Sequence, residues 1–149
     1  MSFTSTSATP ATGSALQAEV QQFYARQMHL LDNGEADAWA ETFTEDGVFA
    51  ANAHPEPARG RETIRTAAAK AAAQRAEEGI QVRHWLGMLD VRPQEDGSVV
   101  ARSYALIVNT PLGGSPQVHL STTCEDLLVR GEDGGWLVSN RQVKRDDLA

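Results

Sequence analysis

The chain has 149 residues, 41% hydrophobic and 22% charged, which suits one domain with a real core. A net charge of −7 with no run of Lys or Arg argues against a general binder of phosphate backbones. A single cysteine, Cys124, rules out an intrachain disulfide and fits a reducing cytoplasm, and no apolar run approaches the length of a membrane helix.

The N-terminus, "MSFTSTSATPATG", has neither the basic start nor the apolar core of a secretory signal. Residues 1–12 read as a disordered Ser/Thr/Ala tail, ahead of a single domain at 13–147. Ser14 and Gln17 match a capping box, and Leu16, Val20, Phe23, Leu30 and Leu31 then recur at helical spacing. "DNGEAD" at 32–37 ends this helix, with Gly34 as its C-terminal stop. A short second helix is expected over 35–43, burying Trp39 and Phe43. "TEDG" then reads as a turn into a strand at 48–52. The prolines of "AHPEPARG" exclude regular structure from that loop.

"RETIRTAAAKAAAQRAEEG" is the clearest helix, built on alanine and stopped by Gly79. Its small apolar face allows close packing. Four strands follow, at 80–92, 98–110, 117–130 and 136–145. The separators "PQEDG", "PLGGSP" and "GEDGG" are rich in turn formers, so these strands form an antiparallel meander. The element order gives an α+β fold with helices on one face of a curved sheet.

Tyr24, Met28 and Asp32 lie near one line on the first helix. Asp32 ends it, where the macrodipole disfavours a negative charge and a carboxylate is easier to protonate. On the residues alone the plainer reading is an ordinary turn aspartate facing water. On the strand "VRHWLGM", the even positions Val82, His84, Leu86 and Met88 are the more apolar, which points His84 to the covered face. There it is either a hydrogen-bonded core residue or a general base, since imidazole titrates near neutrality. Tyr104 and His119, on the next two strands, could share that space; the plainer readings are a packed tyrosine and an exposed strand histidine. His54 is a lid residue or simply exposed. "CED" at 124–126 and "RDD" at 145–147 read as surface or strand-end charges. Four scattered histidines without HxH or HExxH spacing make no metal site, and no phosphate loop or nucleophile elbow occurs.

Four segments in this order resemble the SnoaL-like branch of the nuclear-transport-factor-2-like superfamily. They are "YARQMHLLDNGEADAWAETFTEDGVFAAN", "GRETIR", "RHWLGMLDVRPQEDGSVVARSYALIV" and "GGWLVSNRQVKRDD". The resemblance covers residues 14 to 146 and implies a cone-shaped curved antiparallel sheet wrapped around helices, an α+β barrel with an apolar pocket. Relatives include polyketide cyclases, ActVI-type proteins, ketosteroid isomerase, limonene epoxide hydrolase and scytalone dehydratase. In site pattern the last is nearest: its aspartate at the end of the first long helix matches Asp32, and its histidine early in the first long strand matches His84. The dehydratase's second histidine and its tyrosine have no secure counterparts; the equivalent regions fall near Val108 and Asn109, and near Ala51 or Asn52.

The resemblance therefore implies Asp32 and His84 as an acid–base dyad. Tyr24, Met28, Trp39, Phe49, Leu86, Met88, Tyr104 and His119 would line the pocket. The activity implied is a cofactor-independent cyclase, isomerase or dehydratase acting on an aromatic polyketide-like intermediate. The alternative is a non-catalytic small-molecule-binding or assembly domain of the same fold. Members of this fold commonly dimerise through the outer sheet face, where Trp85, Leu89 and Val91 would form an apolar set that needs a cover, so a homodimer is expected.

Overall fold

The computed structural model describes residues 13–149; the tail expected at 1–12 lies outside them. Helix α1 is described over Gly13–Asp32 and buries Leu16, Val20, Phe23, Tyr24, Gln27 and Met28. It closes in a Schellman arrangement: Gly34, at φ 76°, donates to Leu31 O, and Glu35 N–H reaches back to Leu30 O. Helix α2, Ala36–Ala40, is shorter than the expected 35–43, because Phe43 opens strand β1, Phe43–Ala51. The "TEDG" turn therefore lies inside a strand. Phe43 pairs with Val138 and Val48 with Asn140, so five steps along this strand match two along its neighbour. The excess makes an outward excursion.

The two-residue strand β2, Ala58–Arg59, pairs with Val48 and Phe49 in the loop whose prolines predicted no regular structure. Helix α3, Arg61–Glu78, ends on Gly79 in the left-handed conformation, as its sequence predicts. Strands β3 (Ile80–Pro93), β4 (Val99–Pro111), β5 (Gln117–Arg130) and β6 (Trp136–Arg145) pair antiparallel in succession. The sheet order is β2-β1-β6-β5-β4-β3, with β1 parallel to β6. That parallel pair is absent from the meander reading. The two ends of the sheet remain edges, so it is curved but unclosed, packed against the helices.

Val20, Phe23, Trp39, Phe43, Ile64, Val99, Leu128 and Val138 form the centre of the buried core. A bulge in β3 decides which side chains join it. Gly87 pairs with Tyr104 and Asp90 with Arg102, three steps against two. Met88 absorbs the extra residue at φ 52°. The alternation therefore reverses. Val82 and Leu86 face inward before the bulge, while Leu89 and Val91 pack on the core after it. Leu89 and Val91 thus do not belong to the outer face where strict alternation put them. Among the described residues, no helix is long and apolar enough to cross a membrane.

Candidate active site

Strand β3 is a sheet edge, so backbone groups on its free side need partners other than a strand. Helix α1 lies along it and supplies them. Gln17 Nε2 donates to Leu89 O at 2.9 Å, and the backbone N–H of His84 donates to Asp32 Oδ2 at 3.0 Å. The second oxygen of the same carboxylate, Oδ1, lies 2.6 Å from His84 Nδ1. Asp32 thus grips backbone and ring of one residue together. Its side chain is 6% exposed and that of His84 is 20% exposed. With a carboxylate as acceptor, this contact fits the tautomer that carries its proton on Nδ1 and leaves Nε2 as the free nitrogen.

His84 forms part of the wall of an open cavity of about 1000 Å³. Met28, Trp39, Phe49, Leu86 and His119, all expected in the pocket, share that wall, as does His54. His119 sits at a second bulge: Ile107 pairs with Leu120 and Val108 with Val118, so it has no residue opposite it.

Three expected pocket residues lie elsewhere. Tyr24 is buried in the core, donating to Asp126 Oδ2 at 2.6 Å. The reason is helical drift: at 3.6 residues per turn, positions i and i+8 diverge by about 80°. Tyr24 meets the sheet while Asp32 meets the edge of β3. Met88 and Tyr104, 77% and 59% exposed, lie outside with Trp85. Met88 is there because of the bulge. Tyr104 is there because its neighbours Ser103 and Ala105 take the inward positions of β4.

Asp126, read within "CED" as a surface or strand-end charge, instead belongs to a buried network. Asp126, 1% exposed, receives Arg141 Nε at 2.9 Å and Nη2 at 2.8 Å. Arg141 Nη2 also donates to Gln27 Oε1, and Gln27 Nε2 donates to Thr42 Oγ1. Burial alone would lower the Arg141 pKa; the Asp126 carboxylate more than offsets this, and the guanidinium stays charged. Burial, then the Asp126 charge, pushes Tyr24 well above the usual phenol range and the Cys124 thiol up to about 12. Cys124 is therefore a neutral wall residue rather than a nucleophile. The signal for this network was strand alternation. Thr122, Cys124, Asp126 and Leu128 are the inward set of β5, which places Asp126 among buried neighbours. Among the described residues, no three His, Cys, Asp or Glu side chains cluster as metal ligands.

A family model described as a SnoaL-like domain matches residues 14–142. The fold and sequence are similar to ActVI-ORFA from Streptomyces coelicolor, at 34% identity over 91% of this chain and 98% of that one, with a TM-score of 0.84. Aln2 from another Streptomyces strain is 35% identical over 92% of this chain and 94% of its own, with a TM-score of 0.83. A Catenulispora acidiphila protein in complex with S-DNPA is 41% identical over 90% and 96% of the two chains, with a TM-score of 0.78. No curated protein matches the chain.

Proposed function

The chain belongs to the SnoaL-like family, and from that premise we propose that it is a cofactor-independent cyclase, isomerase or dehydratase. Its substrate is an aromatic polyketide-like intermediate, and it works as a cytoplasmic homodimer. The observation that carries this reading is the 2.6 Å contact of Asp32 with His84, which lines a large, mainly apolar cavity. With its proton on Nδ1, His84 offers the Nε2 lone pair to a C–H made acidic by an adjacent carbonyl. Asp32 stabilises the imidazolium that forms and, through the backbone N–H it also accepts, keeps the ring in place. The imidazolium then returns the proton to another atom of the enolate. Enolisation, aldol-type closure, pyran closure and loss of water all use this transfer, and none of them needs a cofactor. Similarity to ActVI-ORFA and Aln2 supports the polyketide class of substrate.

Removing either member should abolish turnover without unfolding the protein. His84→Ala and Asp32→Asn should each lower the rate about 10²–10⁴-fold. The double variant should be little worse, because paired groups act as a unit. The assay uses a candidate aromatic polyketide intermediate, with products identified by mass and ring connectivity. Full activity in His84→Ala would remove the imidazole from the mechanism.

A second reading, a binding domain without chemistry, draws support from the relative that holds S-DNPA. A ligand bound in the cavity and recovered unchanged from wild-type protein, with equal affinity in His84→Ala, would favour it.

A further inference from the structure

Most of the cavity wall is apolar, and the buried Arg141–Asp126 pair that reaches it serves no step of the proton transfer above. Arg141 is 4% exposed, yet it forms part of that wall. Its Nε and Nη2 are held by Asp126 and Gln27, which leaves Nη1 as the nitrogen not used in these bonds. The guanidinium lies over the rings of Phe43 and Phe49, with Cζ 5.3 and 5.9 Å from their centroids. Those rings also pack on Trp39, another wall residue, whose buried Nε1 has no hydrogen-bond partner. On these two wall residues, Arg141 Nη1 and Trp39 Nε1 are thus the donors without a described hydrogen bond.

Strand register sets Arg141 apart from His84. His84 pairs with Ile107, whereas Arg141 pairs with Asp126 and Asp126 with Ala101. Ile107 and Ala101 are six residues apart on β4, roughly 20 Å of extended strand. A ligand meeting both ends therefore spans more than one ring.

We infer that Arg141 Nη1 is a recognition donor for a carbonyl or phenolic oxygen on the ring of the ligand remote from His84. The inference rests on the cavity being the substrate site. Asp126 neutralises the guanidinium, so the subsite suits an uncharged acceptor rather than a carboxylate. Bound oxygen satisfies a donor that an apolar ring leaves bare, and this sets which end of the ligand faces the base.

The test compares 9-fluorenone with fluorene, which lacks the oxygen. Wild-type protein should bind the ketone about tenfold or more tightly than the hydrocarbon. The ketone's carbonyl stretch should move to lower frequency, and it alone should shift the Arg141 guanidinium N–H resonances. Arg141→Lys keeps a cation beside Asp126 but loses the fork; it should lose the ketone preference while keeping its affinity for fluorene. The wild-type resonances decide the matter should that variant fail to fold. Equal affinity for both probes, with no change at Arg141, would overturn the subsite and leave the cavity reading intact. Failure of both probes to bind would overturn the two together.

Discussion

Asp32 and Cys124 show how position decides what a side chain can do. Asp32 is the last residue of α1, and one carboxylate there satisfies an edge-strand N–H and an imidazole together. Cys124 lies on the same cavity wall, but burial and the Asp126 charge keep its thiol protonated. In the unfolded chain a thiol titrates near 8.5. As pH rises, the unfolded state loses this proton first, so stability should fall from about pH 8.5 until the folded thiol titrates near 12. Tyr24, also raised, adds a second fall above about pH 10. Urea unfolding between pH 7 and 11 should show both. Cys124→Ala should remove the first and keep the second; an unchanged profile in that variant would contradict the assignment. Below pH 8 the native thiol should resist a disulfide reagent that labels the unfolded chain at once.

At the level of elements, α1 is fixed at two places. Its middle is tied to the sheet by Tyr24 and Gln27, which meet Asp126 and Arg141. Its last turn is tied to β3 by Asp32. The Asp126–Arg141 pair is buried and fully bonded, so removing one partner strands the other. Asp126→Ala should destabilise the protein by about 3–5 kcal/mol. Glu125→Ala, one residue away, breaks a pair with Arg102 in which both side chains are at least half exposed, and should cost about 1 kcal/mol or less. Chemical denaturation of the two variants makes the comparison, and similar losses would mean that the network is not what anchors the helix.

Across the whole molecule, the bulge in β3 divides the sheet's duties. It directs Leu89 and Val91 to the core and leaves Trp85 and Met88 outside, beside Tyr104 and the partly exposed Leu106. These four make a contiguous apolar patch, since Trp85 pairs with Leu106 and Gly87 with Tyr104. Such a patch is unfavourable in water without a cover. The homodimer proposed above should use it. Wild-type protein at micromolar concentration should sediment as a dimer, and Trp85→Glu with Tyr104→Glu should sediment as a monomer of unchanged secondary structure. A monomeric wild type would sink the proposal.

The order of helices, turns and long strands was legible in the chain alone, and with it the α+β class. Local causes suffice there: alanine in α3, the left-handed glycine after it, and turn residues between strands that alternate. Asp32 and His84 could be singled out on the same local grounds, one at a helix end and one on an apolar strand face. Their contact was implied by the family resemblance and not by local grounds, because it depends on α1 lying along an unpaired strand edge 52 residues away in sequence. The fates of Tyr24, Met88 and Tyr104 were likewise tertiary. Helical drift over two turns, one extra residue in a strand, and the face on which helices cover the sheet are set by packing, not by spacing. The same holds for Asp126 and Arg141. Asp126 read singly looks like surface, and only its pairing with Arg141 across β5 and β6 makes burial affordable.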